Sequence, residues 1–277
     1  MTSSLAVAAV QMVSSPDVAD NLVRAGRLIA QAAAAGAELV ALPEYFCLMG
    51  HKDRDKLAIA EPAGDGPIQA ALAGWAAQHG IWLVGGTLPL RIAGDPDHAS
   101  NTCLAYAPDG SLAARYDKIH LFRYDDGERR YDEAATLCAG SQPVAFDIRS
   151  RAGTSVRVGL STCYDLRFPE LYRALMSPQS CDLFVMGAAF TWPTGQAHWD
   201  VLLRARAIEN QCHVLASAQG GTHANGRRTW GHSLVIDPWG VVQAVQPEGE
   251  GVVMGQVDLA RQGDVRRQLP ALAHRVM

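Results

Sequence analysis

Apolar residues recur along this chain in two rhythms: short runs rich in β-branched residues, and longer stretches whose apolar positions fall three and four apart. The first rhythm predicts strands and the second predicts helices with one buried face. Residues 5–11 form a strand, after which Ser14, Ser15, Pro16 and Asp17 supply turn and capping chemistry. Over 20–35, Leu22, Ala25, Leu28, Ile29 and Ala32 share one helical face, and Gly36 ends the helix. A strand over 38–42 stops at Pro43-Glu44. Pro67 then opens a helix that carries Ile68, Leu72 and Trp75 on one side and closes at Gly80. A strand follows over 81–87, and 101–107 with 111–117 flank Pro108-Asp109-Gly110 as a hairpin.

After a strand near 144–148 the same order returns. It runs strand 156–162, helix 169–176, strand 183–187, helix 198–210, strand 213–218, then a hairpin of 233–236 and 241–245 around Asp237-Pro238-Trp239-Gly240. A last strand over 251–257 is added. The repeat is one of pattern, not of residues. Two such halves predict two sheets face to face with helices outside, an α/β fold of the α-β-β-α sandwich type. A single doubly wound sheet is the competing arrangement. No linker or compositional break divides the chain, so residues 1–277 read as one domain.

Composition narrows the possible functions. A chain of 277 residues buries enough surface to need no disulfide or metal staple, and its net charge of -4 without a basic stripe excludes a nucleic-acid binder. Cys47, Cys103, Cys138, Cys163, Cys181 and Cys212 form no C-x-x-C pair and no zinc-type spacing, as expected of reduced thiols in the cytoplasm. Residues 1–12 lack the basic start and cleavage pattern of a signal peptide, and no apolar run approaches the roughly 20 residues of a membrane span. The polar stretch 51–56 reads as solvated surface.

Three chemically capable residues stand at strand ends. Cys163 follows the run Val156, Val158, Leu160, Thr162 and precedes the helix opened by Pro169, Glu44 follows strand 38–42, and Lys118 follows the hairpin. A thiol on a strand-to-helix turn is lifted out of the sheet beside free backbone N–H groups, the setting of an activated nucleophile. Each residue alone also has a plain reading: an inert packed cysteine, a surface acid, a lysine covering apolar surface. Together they form a coherent set.

Leu42-Pro43-Glu44-Tyr45-Phe46, Tyr116-Asp117-Lys118-Ile119-His120-Leu121-Phe122 and Cys163-Tyr164-Asp165-Leu166-Arg167-Phe168-Pro169-Glu170 resemble the Glu, Lys and Cys motifs of the nitrilase, or carbon-nitrogen hydrolase, superfamily. Phe190-Thr191-Trp192-Pro193-Thr194-Gly195, the stretch 204–211 and Gly231-His232-Ser233 look most like its amidases of deaminated glutathione, with the omega-amidases as the neighbouring branch. The resemblance implies Cys163 as nucleophile, Glu44 as general base and acid, Lys118 as stabiliser of the thiolate and oxyanion, and Glu133 as the group that holds Lys118. The Tyr164 N–H would be the second oxyanion donor.

What is implied is cleavage of a small carboxylate-bearing amide through a cysteine thioester with release of ammonia, with no metal or organic cofactor. Arg167 is the candidate carboxylate grip, and Tyr45, Phe190 and Thr194 are candidate pocket residues. Arg167 could instead pair structurally with Asp165 or Glu170. Arg123 and Ala134 depart from the residues usual at those positions, which leaves the role of loop 123–132 toward the substrate's distal end open. The resemblance also implies a homodimer through the helix over 198–210. Rival readings are a thiol hydrolase with His120, His198 or His232 as base, a true nitrilase, and a binding module without catalysis.

Overall fold

In the strand Ser4–Gln11 successive side chains serve two different cores. Leu5, Val7 and Ala9 pack with Val156, Val158, Leu160, Leu183, Val185 and Leu215, whereas Ala8 and Val10 pack with Ala25, Leu28 and Ile29 of the helix Val18–Ala34. This alternation is what a strand with both faces buried requires. The computed structural model describes residues 4–125, 127 and 130–276. Residues 1–3 of the N-terminal segment and 126, 128 and 129 of the charged loop lie outside the described residues.

The first sheet runs in the order Gly251–Asp258, Ser4–Gln11, Leu39–Ala41, Trp82–Val84, Asp95–Tyr106, Leu88–Ile92, and the long strand Asp95–Tyr106 also pairs with Leu112–Asp117 and Leu137–Cys138. The second runs Ala145–Arg149, Ser155–Thr162, Leu183–Ala188, His213–Ala218, Ser233–Ile236, Val242–Gln246. Three central strands are parallel in each. One core lies between the sheets. A second lies under the helices Val18–Ala34 and Pro67–His79, and a third under Pro169–Leu175 and Trp192–Asn210. The architecture is therefore the expected α-β-β-α sandwich, and the doubly wound alternative falls.

Several boundaries differ from the periodicity. The helix over 198–210 begins at Trp192, because Pro193 sits in its first turn, where the missing N–H breaks no bond. The strand over 81–87 stops at Val84, and Leu88–Ile92 pairs instead with the start of Asp95–Tyr106, a hairpin whose prolines, Pro89 and Pro96, hide the strand pattern. Within 51–56 residues 51–54 are exposed, as expected of solvated surface, but Asp55 opens a short helix, Asp55–Ala58, and Lys56 is half-buried. Loop 123–132 contains a small hairpin, Arg123–Asp125 with Arg130–Asp132. Gly251–Asp258 joins not its sequence neighbours but Ser4–Gln11, with Ser4 opposite Asp258.

Gly86 explains the break after Val84. Its φ is +59°, and a Cβ there would stand 2.2 Å from the Pro43 carbonyl oxygen, one residue before Glu44. Gly86→Ala is expected to cost about 2–4 kcal/mol, from the left-handed backbone and the overlap together. Chemical denaturation measures it; a loss under about 0.5 kcal/mol would show that the Pro43 turn can move aside.

Candidate active site

The two sheets approach each other closely beside Glu44. A Cβ at Gly187 would lie 3.1 Å from both the Leu42 carbonyl and the Glu44 amide, Ser217 Oγ donates to the Ala41 carbonyl at 2.8 Å, and Gln219 Nε2 donates to the Glu44 carbonyl at 3.1 Å. The strand ends that carry Glu44 and Cys163 belong to different sheets, and this seam brings their side chains to one pocket.

Three donors converge on the Glu44 carboxylate. Lys118 Nζ at 2.9 Å and Asn101 Nδ2 at 3.0 Å donate to Oε1, and the Ala189 N–H donates to Oε2 at 3.1 Å. Lys118 Nζ also donates to both oxygens of Glu133, at 3.1 and 2.8 Å. Glu133 in turn accepts from the Tyr45 hydroxyl at 2.8 Å and the Phe122 N–H at 2.7 Å. Glu44 and Lys118 are each 1% exposed. Burial alone would discharge such a lysine, but Glu133, Glu44 and Cys163 hold Lys118 well above its ordinary range. Burial also works against the charge of Glu133, and Lys118 outweighs it, so Glu133 sits below the usual carboxylate range.

Cys163 takes up a left-handed backbone, φ 50°, at the first residue after its strand. Few non-glycine residues do this, and the turn into the short helix Cys163–Arg167 requires it. Asp165 ties that turn from behind: its carboxylate accepts from the Thr162 N–H at 2.8 Å, the Tyr116 hydroxyl at 2.6 Å and the His120 N–H at 3.1 Å. Burial and then the Glu44 charge push the Cys163 thiol well above its ordinary range, against the pull of Lys118. The resting sulfur is therefore protonated at neutral pH, and attack on a carbonyl requires a base.

Glu44, Cys163, Glu133, Tyr45, Tyr164, Arg167, Phe190 and Thr194 all line this pocket, so the expected set meets in one place apart from Lys118, which reaches it through the two glutamates. Arg167 pairs with neither Asp165 nor Glu170. Its Nη1 donates to His198 Nδ1 at 3.2 Å, and the guanidinium lies 5.4 Å from the Phe190 ring centre and 5.9 Å from that of Tyr164. Thr194 Oγ1 is hydrogen-bonded to Thr191 Oγ1 at 2.8 Å. The histidines of the rival reading stand elsewhere: His120 is bonded through Nδ1 to Asp165 at 2.7 Å and stacked on Phe168, His232 stacks on Trp230, and none of the three lines the pocket.

Asn101, Lys56, Asp165 and Arg227 are site residues that the sequence reading missed. Lys56 lies 5.4 Å from the Tyr45 ring centre, and burial lowers its pKa. Only the acidic neighbour Asp165, inside the cysteine motif, carried a signal that could have been read. Away from this pocket Asp95, His98 and Cys138 bring potential ligand atoms within 4.8 Å of one another, although His98 Nδ1 is already bonded to Asp95 at 2.8 Å.

The family described as carbon-nitrogen hydrolase matches residues 6–267. A deaminated glutathione amidase of Synechocystis is 43% identical over 272 residues, covering 97% of this chain and 97% of that one. An omega-amidase of Pongo abelii is 37% identical over 97% of this chain and 94% of its own. Among solved structures, the NitFhit protein of C. elegans superposes with a TM-score of 0.90 at 37% identity, covering 99% of this chain and 66% of that longer one. With its sandwich fold and a match along almost its whole length, the chain belongs to the carbon-nitrogen hydrolase family, in the nitrilase superfamily, and is an amidase.

Proposed function

We propose that Cys163 is the nucleophile of an amidase acting on deaminated glutathione, with Glu44 and Lys118 completing the catalytic set. The observation that carries this reading is the buried chain Glu44–Lys118–Glu133 beside a cysteine held in a left-handed turn. Glu44 takes the thiol proton as sulfur attacks the amide carbon. Lys118 and the Tyr164 N–H stabilise the tetrahedral oxyanion, and the same proton goes from Glu44 to the departing nitrogen. Glu44 then takes a proton from water, which cleaves the thioester. Glu133 and Tyr45 keep the Lys118 ammonium in place throughout.

The substrate decides the leaving group. Ammonia leaves from a primary amide such as alpha-ketoglutaramate, the substrate type of the omega-amidase alternative. Deaminated glutathione carries a peptide amide, and its leaving group is the amine of cysteinylglycine. Identity of 43% to an amidase of that name, against 37% to an omega-amidase, favours the peptide amide. Arg167, which lines the pocket with Thr194 and Phe190, is the residue proposed to grip the carboxylate of the acyl part.

Residues 1–277 as one domain, a homodimer, a cytoplasmic location and the lack of nucleic-acid partners belong to the same proposal. A core continuous between the sheets supports the first, and six cysteines free of disulfides support the cytoplasm. Trp199 and Leu203 of the helix Trp192–Asn210 are buried, but Val201 and Ile208 are exposed with nearby Trp239, an apolar surface suited to a second copy. Among the described residues no helix is long and apolar enough to cross a membrane.

Amine and ammonia release should be measured across deaminated glutathione, alpha-ketoglutaramate and small nitriles, with Cys163→Ala as the blank. The expected result is a kcat/KM for deaminated glutathione at least about 10-fold above the others. Preference for the primary amide would move the protein to the omega-amidase branch, and turnover of nitriles alone would make it a nitrilase.

A further inference from the structure

We infer that Arg227 forms a second carboxylate subsite, on the leaving-group side of the scissile bond; this rests on the peptide-amide reading above. The pocket of Cys163, about 330 Å³ of space that includes open solvent, adjoins a second hollow of about 540 Å³ measured in the same way. Tyr45, Phe122, Glu133 and Arg227 border both. Arg167 borders only the inner one, so the two guanidinium groups occupy different parts of one continuous site. Ammonia would leave the outer hollow without a purpose, whereas a dipeptide amine needs such a space.

Arg227 is held by its backbone and left free at its head. His223 donates to the Arg227 carbonyl at 2.8 Å, and Asn225 Oδ1 accepts from the Arg227 N–H at 2.9 Å. The Asn225 amide is itself fixed to the Met49 and Gly50 carbonyls at 3.2 and 2.6 Å, and buried His223 bridges the Ser14 carbonyl and Thr229 Oγ1. Among the described residues the guanidinium has no such partners. Its Nε is buried with no hydrogen bond, Nη1 meets only the Met49 sulfur at 3.8 Å, and the group lies 5.5 Å from the Tyr131 ring centre.

Among the described residues no carboxylate is paired with Arg227. Asp53, Asp132 and Glu133 also line the outer hollow, with Lys52 and Lys56 opposing them, and Glu133 is committed to Lys118, Tyr45 and Phe122. A half-buried guanidinium with unused donors is matched by a planar carboxylate, which accepts two parallel hydrogen bonds. The substrate class that uses both arginines is an amide with a carboxylate on each side of the bond cleaved. Deaminated glutathione has this form, with one carboxylate at its oxo-acid end and one on its glycine.

The test compares deaminated glutathione with the same compound bearing a C-terminal glycine carboxamide, and takes the ratio of their kcat/KM values within each protein. Because each ratio is internal, a partly misfolded variant leaves it unchanged. The unaltered protein is expected to favour the free carboxylate by about 10- to 100-fold, as for a charge-assisted hydrogen-bonded pair. Arg227→Gln should bring the ratio near one, and Arg227→Lys should keep part of it. A ratio near one in the unaltered protein, or one that survives in Arg227→Gln, overturns the subsite while the proposed peptide amidase stands. Cleavage of alpha-ketoglutaramate with neither peptide cleaved overturns both.

Discussion

Glu44→Gln is expected to lower kcat/KM by about 10³- to 10⁴-fold with only a small change in stability, within about 2 kcal/mol. The two parts of this expectation have separate causes. Activity falls because the Cys163 thiol, raised by burial and by the Glu44 charge, keeps its proton at neutral pH, and glutamine cannot accept it. Stability holds because glutamine keeps the volume and one acceptor oxygen, while Lys118 retains its pair with Glu133 at 2.8 Å.

Steady-state kinetics on the preferred amide and denaturation of both proteins give the comparison. Alkylation of Cys163 by iodoacetamide adds an independent readout. A raised thiol should react slowly near neutrality and faster as pH rises, because the thiolate fraction grows only toward alkaline pH. A fall in kcat/KM of less than about 10-fold would remove Glu44 from the role of base and reopen the question of which group serves.

Lys118→Met is expected to damage both activity and folding. Removing an oxyanion donor typically lowers kcat by about 10²- to 10³-fold. Breaking a buried ion pair from one side typically costs about 3–5 kcal/mol, because the partner charge is left without compensation. Here two carboxylates are stranded, Glu44 at 1% and Glu133 at 13% side-chain exposure.

The pH dependence gives this loss a signature. In the unaltered protein Glu133 lies below its ordinary 4.5, so its contribution is present above that value and fades as pH falls through the folded pKa. Lys118 lies above its ordinary 10.5, so its contribution is complete below that value and is lost only as pH rises through the folded pKa. Between those limits these two groups leave stability level. Without the lysine, Glu133 loses the charge that holds it below the carboxylate range and takes up a proton more readily, so Lys118→Met should gain stability as pH falls from about 8 to about 5. Parallel melting curves for the two proteins across that range would show that the lysine does not carry the charge balance of the site.

How much of this site was legible depended on how local each signal was. Cys163 announced itself because its turn is built from adjacent residues: a β-branched strand, then a helix opened by Pro169. Glu44 and Lys118 stood at the ends of elements with clear periodicity. Asn101 and Ala189 left no mark, since their bonds to Glu44 span 57 and 145 residues and involve an amide and a backbone N–H that occur in any chain. Lys56 looked like one charge in a polar run, and only the short helix Asp55–Ala58 turns it toward Tyr45. Arg227 sat in a turn next to Arg228, with nothing nearby in the sequence to separate the two.

The alternation of strand and helix, the matching order of its two halves and the three reactive residues at strand ends were determined by the sequence alone, because each rests on spacing within one element or at its boundary. The tertiary structure decided what depends on contact between distant segments. Gly251–Asp258 closes the first sheet against Ser4–Gln11, and the seam at Gly187 brings Glu44 into the pocket of Cys163. Arg227 acquires its unused donors in the same way, because the turn that carries it is pinned to the distant Met49 and Gly50 carbonyls.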